Sequence, residues 1–299
     1  MNQKGYVHKG VLSRSFDVVN VLFMLALSFV MIYPFYNQLI LSVSNGPDAQ
    51  LGGIYFFPRK FSMESYQYVL SNSDILHGAL VSVLRVIVGT ATCLFCTGYL
   101  SYILTIRDFS GRRFMRILFL ITMYFSGGLI PYYILIMGLK LSNSFTVYWL
   151  PALFSVYYML IMSSFMQELP ESLGESARLD GCTEIGIFLR IIVPISKPVL
   201  AAVAVFCAVS HWNSWFDVVI FNSGGAWDTL QVYLRKIMLQ VQQLDKLMFE
   251  QSALARYRSI TPLTMRAATT MLVTLPIVFV YPFLQKYFVT GITLGAVKG

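Results

Sequence analysis

The sequence has 299 residues, of which 57% are hydrophobic and only 12% are charged, and its formal net charge is +8. Soluble domains average about 45–50% apolar and about 25% charged residues, so the composition excludes an ordinary soluble protein and indicates several membrane spans. Lysines and arginines are scattered between apolar segments and form no basic run, which argues against a nucleic-acid partner.

A spanning helix needs about 20 mostly apolar residues. Six segments meet this requirement, namely 17–42, 77–105, 114–137, 146–167, 195–219 and 266–289. The first of them is much longer than the roughly 7–15 apolar residues of a signal peptide, so we interpret it as a retained span. The sequence predicts one all-α membrane domain over residues 1–299, with six transmembrane helices.

The distribution of basic residues predicts the orientation of the spans. Positive charge is concentrated before the first span and in the second link, at Lys4, Lys9, Arg14, Arg107, Arg112 and Arg113. Short loops rich in lysine and arginine remain in the cytoplasm. Both termini and the segment between spans four and five are therefore predicted to lie on the cytoplasmic side of a plasma membrane.

Two features stand out inside the second and third spans. Arg85 is an interior charge, and two interpretations remain open for it: contact with a polar or acidic solute, or a structural pair with a neighbouring subunit. In "FSGGLIP" (125–131), Gly127 and Gly128 precede Pro131, with Ser126 beside them. This run predicts a kink where backbone lines a solute path, or a close helix crossing.

The link between spans four and five, residues 168–194, holds five of the chain's 14 carboxylates. Pro170 and Glu171 suit the start of a helix, and Gly181 suits its end. Thr183 then caps a second, amphipathic helix. Such a segment can be a linker lying on the membrane surface, but its acidic character would be repelled by anionic lipid. The pattern favours a compact helical knob that fits a protein groove.

"HWNSWFD" (211–217) lies towards the outer end of the fifth span and is a candidate for solute contact. On a continuous helix, Trp212 and Trp215 share one face, and Asn213 and Asp217 share another. Aromatic faces stack on sugar rings, and amide and carboxylate groups bond to hydroxyls. The alternative is the tryptophan belt at any membrane interface.

The long fifth loop contains helical spacing over 230–248, for a helix that lies on the outer membrane surface or meets a binding protein. The chain contains no Gly-Lys pair and hence no phosphate-binding P-loop. Its three histidines are far apart in sequence and lack metal-ligand spacing. We therefore expect no bound cofactor, no metal site and no catalytic residue.

The segment 168–194 resembles the EAA signature of permease subunits of binding-protein-dependent ABC importers. The resemblance rests on Glu175, Ala177, Gly181 and Pro194 at the family's spacing; Ser176 replaces an alanine and Val193 a leucine. The tail 285–299 is similar to that of maltose-type sugar permeases. "FSGGLIP" and "HWNSWFD" resemble the branch for complex or plant-type oligosaccharides, including uronate-containing ones.

This resemblance implies a type I importer fold, with the EAA segment as a coupling helix on an ATP-binding subunit. Glu175, Ala177, Asp180 and Gly181 would form the docking corner. The implied partners are a second permease subunit, two ATPases that bind ATP and Mg, an extracellular solute-binding protein, the lipid bilayer and an oligosaccharide. Two rival functions remain: an ion-coupled secondary sugar transporter, and a membrane enzyme acting on lipid-linked sugars.

Overall fold

The computed structural model describes residues 11–248 and 260–296, and within them the chain is helical, with one isolated antiparallel bridge between Ser44 and Phe61. The all-α prediction is confirmed. In chain order the helices are α1 (Val11–Ser42), α2 (Gly46–Gln50), α3 (Glu64–Leu70), α4 (Ser73–Ile103), α5 (Arg112–Tyr124), α6 (Leu129–Gly138), α7 (Val156–Met166), α8 (Ser172–Leu179), α9 (Glu184–Ile187), α10 (Val193–Ile195), α11 (Lys197–Asn213), α12 (Phe216–Phe221), α13 (Leu230–Met248) and α14 (Pro262–Ala296).

Three single helices in the described part of the chain are long and apolar enough to cross a membrane: Ser15–Ser42, Ser73–Ile103 and Pro262–Val280. Three further candidates are bent pairs, α5 with α6 at 116°, Phe145–Ala152 with α7 at 46°, and Glu184–Ile195 with α11 at 89°. If each pair forms one span, the total is six, and this count stays a prediction.

Contacts divide the chain into two compact units. The first unit comprises residues 1–71 and 238–272. Its small core packs Ile40, Ala49 and Ile54 against the partly buried Leu263. The Ser65 hydroxyl donates to the Thr264 hydroxyl at 3.0 Å, which ties α3 to the start of α14 by a buried polar contact.

The second unit comprises residues 72–237 and 273–299 and carries the candidate sites. Its central helix α4 packs along α11 and α7. Gly89 allows the closest approach, because a Cβ added there would collide with the imidazole of His211. Since α4 lacks a side chain at this point, the buried ring of His211 lies directly against its backbone.

The predicted break in the third span is confirmed. α5 ends at Tyr124 and α6 begins at Leu129, and Gly128 between them has φ +85°, a left-handed conformation that glycine adopts without steric cost. Within the described residues, a Cβ on Gly128 would meet no atom within 4 Å, and one on Gly127 would meet only Pro131. Among the described residues of this chain, the glycines therefore interrupt the helix and no other helix packs against them.

The expectation of one continuous helix over 195–219 is wrong. α11 ends at Asn213, Ser214 is extended with ψ 126°, and α12 begins at Phe216. The Ser214 hydroxyl donates to Asp217 Oδ1 at 2.8 Å, a local side-chain bond that replaces helix continuation. Trp212 and Trp215 consequently share no helix face, and neither do Asn213 and Asp217.

The described residues cover some of the other sequence predictions and not others. The helix over 230–248 is confirmed as α13. The second span begins at Ser73, four residues before the predicted start. Lys4 and Lys9, which contributed to the orientation, lie outside the described residues, as does the end of the tail after residue 296.

Candidate functional site

Residues 168–194, hereafter the docking segment, fold as helix, sharp bend and second helix. α8 ends in a Schellman motif: the Cys182 N–H donates to the Ala177 carbonyl at 2.9 Å, and the Gly181 N–H donates to the Arg178 carbonyl at 3.0 Å. Gly181 has φ +77°, which confirms the predicted left-handed glycine. Thr183 then caps α9 by accepting a bond from the Gly186 N–H at 3.3 Å.

The bend presents a small exposed corner, hereafter the docking corner. Glu175, Asp180 and Gly181 are exposed there, whereas Ala177 lies on the buried face of α8. Leu179 stands at the corner with 90% of its surface exposed. The corner therefore combines two carboxylates with one unsupported apolar side chain, which suits a protein partner better than water.

A hydrophobic core, hereafter the elbow cluster, holds the docking segment against the helices. It combines residues of α4, α7, α8, α9, α11 and the π-helical segment Phe188–Ile192 that follows α9: Tyr102, Met162, Met166, Ala177, Ile187, Phe188, Ile192 and Val203. Fully burying a side chain of this size contributes about 1.5–3 kcal/mol. The bend is therefore anchored by packing and is not a free loop.

Polar contacts at two places, Glu184 and Glu171, add to this packing. The Arg178 Nε donates to Glu184 Oε1 at 2.7 Å, and the Tyr102 hydroxyl donates to Glu184 Oε2 at 2.6 Å. On the other side, Arg107 pairs with Glu171 at 2.5 Å. The pair of Arg107 and Glu171 joins the link after α4 to the docking segment, so this link and the docking segment lie at the same end of the helices.

A cavity of about 490 Å³ lies between these polar contacts. Its lining includes Tyr102, Arg112, Arg116, Glu171, Glu175 and Arg178. Both arginines and carboxylates line it, and the Arg116 guanidinium donates to the Leu104 carbonyl at 3.0 Å. Because the charges are mixed, the cavity has no clear preference for an anion or a cation.

A second candidate site lies further along α4, where Arg85 pairs with Asp217. The guanidinium Nη1 donates to Asp217 Oδ1 at 3.3 Å, and Nη2 makes a shorter ion pair with Oδ2. Arg85 also lies 4.7 Å from the centroid of the Tyr148 ring. Its predicted structural pairing therefore occurs within this chain, although the partner expected from the sequence was a neighbouring subunit.

The remaining solute-path candidates occupy different positions. The Trp212 indole N–H donates to the Val273 carbonyl at 3.2 Å, and the Arg235 guanidinium lies 3.9 Å from the Trp215 ring centroid. Asn213 is exposed at the end of α11. Trp212 and Trp215 therefore have contacts inside the chain, whereas Asn213 is the exposed residue of the three.

At the break of the third span, the Ser126 hydroxyl accepts a bond from the Gly128 N–H at 3.2 Å. Ser126, Gly127 and Gly128 are all exposed, and the Gly128 carbonyl accepts from the Tyr132 N–H at 3.4 Å as α6 begins. An exposed stretch of non-helical backbone within an apolar segment is tolerated in a membrane only where protein or a water-filled path covers it.

Sequence reasoning missed two parts of these sites. Leu179 follows Ala177 by two residues and thus leaves the buried face of α8, a signal that helical spacing alone provides. The bond between Tyr102 and Glu184 joins residues 82 positions apart, and no local sequence pattern predicts it.

No protein-family model matches the sequence. The chain is 36% identical over 297 residues to Protein LplC of Bacillus subtilis, covering 98% of both chains. It is 33% identical over 288 residues to the polygalacturonan/rhamnogalacturonan transport system permease protein YtcP of Bacillus subtilis, covering 96% of this chain and 99% of YtcP. In fold the chain is similar to a bacterial ABC transporter involved in import of the acidic polysaccharide alginate, with a TM-score of 0.84 and 23% sequence identity. The match covers 93% of this chain and 98% of the chain of the alginate transporter.

Proposed function

The chain belongs to the permease subunits of carbohydrate ABC importers, and on that premise we propose that its docking segment couples a separate ATPase to an oligosaccharide path through the membrane. Its relatives are permease proteins of transport systems, so the chain is a multi-pass transport subunit and not an enzyme. Membership of this family supports the importer function and does not support the two rival functions, the ion-coupled carrier and the enzyme acting on lipid-linked sugars.

The observation that carries the proposal is the docking corner. Glu175, Asp180 and Gly181 project from a bend that packing and a Schellman motif hold in place. Leu179 supplies the apolar contact that an interface needs at its centre. The partner surface expected from this chemistry is an apolar pocket rimmed by basic or polar groups, on an ATPase that binds the ATP and Mg.

We place the docking segment and both termini in the cytoplasm. The ion pair between Arg107 and Glu171 supports this, because it joins a basic link to the docking segment, and basic links stay inside. In a cysteine-free background, Asp108→Cys should react with an impermeant maleimide in inside-out vesicles and not in intact cells. Labelling in intact cells would reverse the assignment.

We further propose that a second permease subunit, two ATPases and an extracellular solute-binding protein assemble around this chain, a composition that membership of the family supports. The mechanism is alternating access, in which ATP-driven closure of the ATPases moves the docking segment and opens the spans outward. Side chains of α1 between Phe16 and Phe35 are largely exposed, and lipid or the second permease subunit would cover them.

We further propose an oligosaccharide that contains uronate as the transported solute. YtcP is named for polygalacturonan/rhamnogalacturonan transport and the alginate transporter imports an acidic polysaccharide, and both similarities support this choice. Calorimetric titration of the cognate solute-binding protein tests it directly. Oligogalacturonide should bind and maltodextrin should not; the opposite result would overturn the choice of solute and leave the coupling role intact.

The coupling role is tested by Glu175→Lys in the docking corner. Charge reversal beside an exposed leucine should prevent co-purification of the ATPase and abolish uptake, while the permease pair still inserts and purifies. Glu64→Lys provides a matched control, because Glu64 is equally exposed but lies on α3 in the other compact unit. Normal ATPase binding and uptake with Glu175→Lys would refute the docking role.

A further inference from the structure

Tyr102 occupies an unusual position for a tyrosine at the end of an apolar helix. Only 4% of its surface is exposed, and its ring packs on that of Phe188 with centroids 6.0 Å apart. Its hydroxyl nevertheless reaches Glu184 Oε2 at 2.6 Å. A buried phenol needs a hydrogen-bond partner, and here the partner is an ionised carboxylate on the docking segment.

Glu184 makes a second contact that reaches the docking helix itself. Its Oε1 accepts from Arg178 Nε at 2.7 Å, and Arg178 lies on α8, across the bend. One carboxylate thus joins three elements, α4 through Tyr102, α8 through Arg178 and α9 on which it stands. The three residues are hereafter the carboxylate relay.

Local stability of the bend does not require this arrangement. Thr183 already caps α9, and the Schellman motif already closes α8. The ion pair of Arg178 with Glu184 is 37% and 40% exposed, and surface pairs of this kind contribute little. What the relay adds is a charge-assisted bond to a buried group on the longest helix of the second unit, and such bonds are roughly twice as strong as neutral ones.

α4 carries this connection to the other candidate site. Tyr102 and Arg85 are seventeen residues apart on one uninterrupted helix, about 25 Å at 1.5 Å per residue. Arg85 at the far position holds Asp217 of α12. The helix packs along α11 and α7 over this length, so displacement at one end is not absorbed locally.

We infer that Tyr102, Glu184 and Arg178 act as positioning residues that lock the docking helix to α4 and so transmit ATP-driven movement to the Arg85–Asp217 site. This inference rests on the proposed coupling function. It separates two tasks: the docking corner binds the ATPase, and the carboxylate relay converts that binding into movement of a span. Loss of the relay should therefore uncouple hydrolysis from transport without releasing the ATPase.

The chain contains a matched pair of tyrosines for the test. Tyr99 stands one helical turn before Tyr102 and packs on the same Phe188 ring, with centroids 5.3 Å apart. Within the described residues, its hydroxyl has no hydrogen-bond partner. Tyr102→Phe and Tyr99→Phe remove the same atom from neighbouring positions, and only the first removes a bond of the relay.

Both variants are reconstituted in proteoliposomes as the complete complex with its ATPases and solute-binding protein. The measured quantity is the number of ATP molecules hydrolysed per oligosaccharide imported. Tyr102→Phe should raise this ratio about tenfold, the effect of losing one charge-assisted hydrogen bond, with unchanged ATPase stoichiometry. Tyr99→Phe should leave the ratio at the wild-type value. Glu184→Gln should raise it as well, and the double variant with Tyr102→Phe should be no worse than the stronger single variant.

Equal ratios for Tyr102→Phe and Tyr99→Phe would overturn the inference. So would a fall in assembled complex that accounts for all lost transport in Tyr102→Phe and Glu184→Gln, since the relay would then only support the fold. Failure of the proposed function has a different signature: the wild-type complex itself would show no ATP-dependent import.

Discussion

The buried pair of Arg85 and Asp217 predicts unequal costs for removing its two members. The Arg85 side chain is 3% exposed and that of Asp217 is 27% exposed. A carboxyl group left alone in an apolar site can take up a proton, whereas a guanidinium cannot lose one. Asp217→Ala should therefore destabilise the protein more than Arg85→Met.

The magnitudes follow from the charge that each variant leaves behind. Asp217→Ala leaves a buried cation with only the Tyr148 ring beside it, and an uncompensated buried charge costs about 3–5 kcal/mol. Arg85→Met leaves Asp217 with the Ser214 hydroxyl and partial exposure, so the loss should be about 1–3 kcal/mol. Replacing both residues, Arg85→Met with Asp217→Leu, should recover much of the stability because no charge remains.

Thermal unfolding of the purified complex in detergent measures these differences. The exposed pair of Arg107 and Glu171, at 75% and 52% exposure, provides the control. Arg107→Met and Glu171→Ala should each change stability by about 1 kcal/mol or less. The reasoning fails if Arg85→Met is the more damaging variant. A stable Arg85→Met protein that no longer imports solute would instead place Arg85 in the solute path.

Three glycine and cap variants give further expected outcomes. Gly181→Ala places a Cβ on a residue in a left-handed conformation, so it should destabilise the protein by about 1–2 kcal/mol and weaken co-purification of the ATPase. Gly174→Ala within α8 is the control and should be neutral or slightly stabilising. Equal ATPase binding by the two variants would contradict the role of the Gly181 bend. Gly89→Ala forces a methyl group into the His211 ring and should lower the melting temperature through a cost of about 1–3 kcal/mol; unchanged melting would refute the close approach. Thr183→Ala should cost about 1 kcal/mol and Thr183→Ser almost nothing, by thermal unfolding, because only the first removes the cap.

The features that sequence reasoning captured are those with local causes. A glycine after an acidic helix and a threonine before an apolar one define a bend, since each acts on backbone groups within four residues. The pairs at Arg85 and Tyr102 join positions 132 and 82 residues away. Such partners depend on how whole helices are placed side by side, which no single segment encodes.

The break at Ser214 is an intermediate case. Its cause is local, a serine hydroxyl bonded to a carboxylate three residues ahead. However, the same pattern also fits a helix interior, where the serine bonds back to an earlier carbonyl. Asp217 also pairs with Arg85 on α4, so the carboxylate that Ser214 bonds is held from another helix as well. The continuous helix expected from the sequence took no account of this contact, because it joins positions 132 residues apart.

The glycines of the second unit have two opposite mechanical roles, and their surroundings distinguish them. Gly89 and Gly98 on α4 lie against other side chains, so α4 and α11 fit closely and must move together, because packed interiors transmit strain. Gly127 and Gly128 are exposed between α5 and α6, where backbone dihedrals can change without unpacking a core. The proposed coupling role needs both features: a stiff helix pair that would carry displacement past Arg85, and a break in the third span that would yield to it.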